Sequence, residues 1–144
     1  MPWTTKVLVI ANRTVDSDEI RDAIVRRAAA GPLQVTLVAP ASSGPGSARR
    51  RYTETAERLE RAVERLHEAG VPVEGVVGDC DPMLAVQDAW DPRRFDEVIV
   101  ATLPTGVSRW MAADLPRRVE RFTGARVTRV VATSERRQRA AVTV

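Results

Sequence analysis

The chain has 144 residues, 44% hydrophobic and 28% charged, which suffices for one domain with a real core and no covalent staples. Its one Cys, Cys80, excludes an internal disulfide and points to an intracellular, cytoplasmic setting. No apolar run approaches the roughly 20 residues of a membrane helix, and Met1–Lys6 has no signal-peptide pattern. The formal net charge is only +3, and Lys6 is the lone Lys among 22 Lys and Arg residues. The Arg residues mostly alternate with Glu, as in Glu57-Arg58 and Glu60-Arg61, which makes a solvated helix face. Two basic runs remain, Arg49-Arg50-Arg51 and Arg136-Arg137-Gln138-Arg139. Neither has the flanking aromatics on which single strands stack, so neither nucleic acid nor membrane is expected as a partner.

In chain order, Val7–Ala11 is an apolar run of strand length, the mark of a strand buried on both faces. Asp16 with Glu19 suggests a capping box, followed by Ile20, Ala23 and Ile24 at helical spacing and a stop at Gly31-Pro32. Val35–Val38 reads as a second buried strand. Ala41–Arg51 is small, polar and rich in Gly and Pro, hence a loop. A long helix follows from about Thr53 to Ala69, with Ala56, Leu59, Val63 and Leu66 inward and Gly70 as its stop. Val71–Val77 is a third strand whose Pro72 and Gly75 suit an edge.

Asp81 and Pro82 start a third helix as N-cap and first helical residue. Val98–Ala101 is a fourth strand, and residues 102–107 form a loop before a short turn at Ser108–Ala113. Asp114 is then expected to cap a last helix, with Pro116 tolerated in its first turn. Val127–Ala132 is the fifth strand, and residues 133–144 are a polar, Arg-rich tail to the 1–132 domain. Five strands alternating with helices imply a doubly wound, parallel α/β sheet with right-handed crossovers.

These residues resemble the universal stress protein family over nearly the whole chain. The first strand running into Asn12-Arg13-Thr14 is similar to that family's opening strand, which usually ends Asp-Gly-Ser. Gly78–Pro82 is similar to its Gly-x-Pro turn, and Val98–Val131 to its last third. Ala11–Thr14, Phe95-Asp96-Glu97, Thr102-Leu103-Pro104 and Ser108-Arg109-Trp110 resemble an actinobacterial branch of it more closely. The resemblance implies strand order 3-2-1-4-5 and a ligand crevice between the first and fourth strands. It also implies a homodimer through the fifth strand.

The ATP-binding members carry Gly-x-x-Gly after the fourth strand and Gly-Ser at a helix start, so that bare N–H groups and a helix dipole meet the phosphates. Here the matching residues are Ala101-Thr102-Leu103-Pro104 and Asp114-Leu115-Pro116. Pro104 and Pro116 have no N–H to give. A carboxylate at the helix start would repel a phosphate about 4 Å away by about 4 kcal/mol at an effective dielectric near 20, more than one N–H bond returns. ATP is therefore not expected in the family's usual pose, and no other cofactor or metal is expected.

The candidate ligand-binding residues are Asn12, Arg13, Val38, Asp79, Thr102, Thr105, Gly106, Ser108, Arg109 and Asp114. Arg109 could reach an anion; alternatively it pairs with Asp79 or Asp114 while Ser108 caps a turn and Trp110 packs on the sheet. Asp79 and Asp81 read as turn and cap, not as a metal site. Cys80 reads as structural, and His67 sits on a polar helix side with no partner in sequence. No nucleophilic or acid–base set assembles. The expected function is a non-enzymatic stress-response module contacting an unidentified protein partner. The alternative is a small-molecule or nucleotide binder using the crevice in an altered pose.

Overall fold

Val7–Ile10 leaves no side of a strand for water, and all four residues are at most 2% exposed. The computed structural model describes residues 3–11, 14–42, 45–102 and 109–131, with 109–113 by backbone alone. The elements run β1 (Thr5–Ile10), α1 (Asp18–Ala30), β2 (Leu33–Pro40), α2 (Ala48–Glu68), β3 (Val73–Gly78), α3 (Pro82–Ala89), β4 (Glu97–Thr102), α4 (Arg109–Thr123) and β5 (Arg126–Val131). All neighbouring strands pair parallel, in the expected order β3-β2-β1-β4-β5.

Alternation along the central strands divides the core in two. Val7, Val9 and Ile99 pack with Ile20 and Ile24 of α1 and Leu59, Ala62 and Leu66 of α2. Leu8, Ile10, Val98 and Val100 pack with Met83 and Val86 of α3 and Val119 of α4. Each fully buried Val, Leu or Ile contributes roughly 1.5–3 kcal/mol, so β1, covered from both sides, organises both halves. Among the described residues no helix is long and apolar enough to cross a membrane.

Several boundaries differ from the expectation, each for a local reason. Ser17, not Asp16, caps α1: its Oγ accepts from Ile20 N–H at 3.3 Å, while Asp16 faces Arg61 at 3.7 Å. Ser47 caps α2, whose first turn therefore takes in Arg49–Arg51, residues expected in a loop. The fully buried stripe of α2 is Thr55, Leu59, Ala62 and Leu66, with Val63 packed against it as expected and Ala56 only half-buried. Thr55 is drawn inward because its hydroxyl accepts from Ser42 N–H at 3.1 Å. His67 has a partner after all, with Nε2 3.0 Å from the Val73 carbonyl oxygen. Asp81 caps α3 as expected, accepting from Met83 N–H at 2.9 Å.

The largest difference lies in α4, which is already helical at Arg109 and so does not start at Asp114. Pro116 thus sits inside the helix, where it removes the bond to the Ala112 carbonyl. Packing of Leu115 and Val119 on the α3-side core holds the helix through this break.

Gly78 shows how closely α3 approaches the sheet: a Cβ there would lie 2.8 Å from Ala85 Cβ and 3.1 Å from Val38 Cγ1. Gly31 has open space around it and extended backbone. Gly78→Ala should therefore cost about 1–3 kcal/mol in urea unfolding, whereas Gly31→Ala should be neutral or slightly stabilising. Equal effects at the two positions would contradict this packing.

Candidate functional site

In a parallel sheet every strand ends on one side, and a crevice opens where the order reverses, here between β1 and β4. The β1–β4 ladder stops at Ile10 and Val100, yet β4 runs on to Thr102. Beyond Ile10 the chain stays bonded to β2 for one more residue, with Ala11 N–H donating to the Val38 carbonyl at 3.1 Å. Pairing with β4 has ended at this point, while pairing with β2 has not. The β2 exit is held on the same side by Ala41 N–H to the Gly78 carbonyl at 3.0 Å.

Thr102, 5% exposed, ends β4. Its Oγ1 accepts from Arg129 Nε at 3.1 Å, fixing a guanidinium of β5 beside the crevice. Sequence reasoning missed Arg129, although a charge inside the apolar run Val127–Val131 was the available signal. It also missed the clamp on the segment after β1. There Arg65 donates to the Asp16 carbonyl at 2.5 Å and to the Asp18 carboxylate, tying the β1 exit to α2.

All four helices start at this end of the sheet, and their first turns differ in charge. That of α1 carries Asp18 and Glu19. The carboxylate of Asp81 occupies the start of α3. The first turns of α2 and α4 carry no acid. Of the two helices beside the crevice, α1 and α4, only α4 offers its dipole's positive end to an anion.

The predicted residues divide accordingly. Val38 is 1% exposed with its side chain in the core, so only its carbonyl faces this region. Asp79 accepts from Asp81 N–H at 2.9 Å and shapes the turn into α3. Asp114 lies within α4 and faces Arg118 at 3.7 Å. The expected like-charge repulsion at the helix start therefore does not arise, and neither Asp114 nor Pro116 occupies the end of the helix. Thr102 and the head of α4 at Arg109 are brought to the crevice end. Asn12, Arg13, Thr105, Gly106 and Ser108 lie outside the described residues, as does the Arg109 side chain. Among the described residues no group of three or more His, Cys, Asp or Glu could hold a metal ion.

No protein-family model matches the sequence, and no curated protein does. Solved structures do. A universal stress protein in complex with cAMP superposes with TM-score 0.59 at 19% identity, covering 90% of this chain and 98% of that one. One from Archaeoglobus fulgidus in complex with dAMP gives 0.63 at 14% identity, covering 90% and 99%. The fold is that of the universal stress proteins. A member of that family from Arabidopsis thaliana with AMP bound gives 0.59 at 15% identity, covering 92% and 94%. Matches over nearly the full length of both chains place the β1–β4 crevice within the universal stress protein fold and leave its contents to this chain's own residues.

The reassigned start of α4 is directly measurable. Asp114→Ala should change stability by less than about 0.5 kcal/mol, as for an exposed ion pair, where loss of an N-cap would cost about 0.5–2 kcal/mol. Pro116→Ala should stabilise by about 1–3 kcal/mol, because a helix-interior proline is being relieved. A large loss at Asp114 with no gain at Pro116 would restore the later helix start.

Proposed function

We propose that the protein is a member of the universal stress protein family that acts by binding rather than catalysis, and that its β1–β4 crevice takes an adenine nucleotide with a single phosphate. The observation carrying this reading is that α4 is already helical at Arg109, seven residues beyond the end of β4 at Thr102, with no acid in its first turn. One helix N-terminus and one adjacent Arg suit one phosphate group. A triphosphate needs more donors, and Pro104, in the connection between β4 and α4, has none to give. The single-phosphate nucleotides in the similar structures, cAMP, dAMP and AMP, support the same choice.

A binding role is supported by the fate of the titratable groups. Asp79 and Asp81 are consumed by a turn and a cap. His67 lies against the first residue of β3, at the end of the sheet away from the crevice. With no base, nucleophile or metal set among the described residues beside the phosphate, bound nucleotide would be held and not hydrolysed. In this reading occupancy of the crevice sets the protein's state in a stress response, and a protein partner senses that state.

Titration calorimetry on the full chain tests this with AMP, cAMP and ATP, the last with and without magnesium. AMP should bind with a sub-millimolar Kd, magnesium-ATP no more tightly, and no phosphate should be released. Arg109→Ala should weaken AMP about tenfold, the loss of one charge-assisted hydrogen bond. Micromolar magnesium-ATP affinity, or no nucleotide binding at millimolar concentration, would overturn the reading.

A further inference from the structure

On the α1 side of the sheet α2 lies over β2 and β3, so α1 alone is left to cover β4 and β5. A groove of about 530 Å³ remains between α1 and β5, a volume typical of small-molecule sites. Its floor is apolar: Ala23 of α1, Ile99 of β4 and Val130 of β5. From the level of Glu97 to that of Ala101, the partner of Val130, the sheet advances four residues, roughly 13 Å.

The charged groups are sorted along its length. Toward the crevice end stand Glu19 and Asp22 of α1. Arg21 bonds Asp22 at 3.0 Å, and Glu19 is engaged as well. Arg129 also borders the groove, but it shares the face of Val100 on the far side of the sheet, where it donates to Thr102. Toward the other end stand Arg26, Arg27 and Glu97. Arg126 lies opposite Glu97 in the β4–β5 register and shares its face. Arg27 bonds Glu97 through Nη2, yet its Nε is buried without an acceptor. Arg26 and Arg126 form no ion pair among the described residues. Asp96, the next acid along the chain, accepts from the Lys6 N–H. Three arginines against one glutamate leave this end with a surplus of two positive charges.

We propose that this groove binds an amphiphilic anion, a carboxylate on an unbranched hydrocarbon chain. The head lies among Arg26, Arg27 and Arg126, and the chain runs over Ile99 toward Val130. A carboxylate accepts two parallel bonds from a guanidinium, so it gives Arg27 the acceptor capacity that Glu97 alone does not. The C-terminal end of α1 opposes an anion with roughly half a negative charge, which is less than the surplus of two. Glu19 and Asp22 repel the head from the other end and so fix the ligand's direction. The chain contributes by taking Ile99, Val130 and Ala23 out of water. A second copy of the protein is a poorer occupant, because a two-fold interface here would set the same positive surplus against itself. The proposal is independent of what fills the crevice.

Octanoate is the probe, with octylamine as the same chain under the opposite charge and acetate as the head alone. Each is titrated into the full chain while amide chemical shifts are recorded and the mass is followed by sedimentation. Octanoate should bind with a sub-millimolar Kd and move the amides of Ala23–Arg27 and Thr128–Val130. Octylamine and acetate should bind at least tenfold more weakly. Arg26→Ala with Arg126→Ala, both exposed positions, should weaken octanoate at least tenfold while β1 amide shifts stay in place, which shows that the fold survives. Ala23→Leu, which fills the groove and leaves every arginine untouched, should weaken it as well. Four results would overturn the proposal: no octanoate binding at millimolar concentration, octylamine binding as tightly, octanoate affinity unchanged by the double arginine variant, or groove amides that move with protein concentration alone as the mass doubles.

Discussion

Everything in this molecule depends on β1 being apolar on both faces. A strand with Val7 and Val9 on one side and Leu8 and Ile10 on the other is stable only with helices above and below it. That requirement puts β1 at the centre of the sheet, with β2 and β4 as its two neighbours. Right-handed crossovers to those neighbours must then leave in opposite directions, and the reversal opens the crevice. The location of the site is thus a consequence of four apolar side chains. The contents of the site are not.

What the crevice can hold is decided by the ends of the helices that surround it. Four helix N-termini gather on one side of the sheet, and the chain neutralises two of them with its own carboxylates: Asp18 and Glu19 on α1, and Asp81 on α3. At α2 the Ser47 hydroxyl caps a first turn bearing arginines. At α4 the first turn has no acid. This asymmetry gives the crevice an orientation, with the start of α1 already engaged by its own carboxylates and by Arg65, and an anion-accepting wall at α4. The Arg129–Thr102 contact adds a fixed cation near the same wall. The clamps from Arg65 to Asp16 and Asp18 hold the opposite wall against α2.

The strands, their order and most helix centres were legible in the sequence, because burial on two faces and helical spacing leave periodic traces. The Asp81-Pro82 start of α3 was legible because cap and proline are adjacent and act locally. The start of α4 was not. Asp114 followed by Pro116 carries the same local signature, but here Leu115 and Val119 pack on the core and carry the helix through the proline. Ser17 was missed because Asp16 and Glu19 also have capping spacing, and only the approach of Arg61 shows that Asp16 is engaged elsewhere. Arg129 was hidden for a different reason: its partner, Thr102, is distant in sequence and meets it only through the β4–β5 register. Local signals located elements; long-range packing settled their ends, and the candidate site is made of ends.

In this protein an anion should enter between β1 and β4 at the head of α4. Amide chemical shifts of the full chain, recorded while AMP is added, test it most directly. The perturbed amides should cluster after Ile10, after Thr102 and over Arg109–Met111. Shifts confined to Ala23–Arg27 and Thr128–Val131, the walls of the α1–β5 groove, would contradict it.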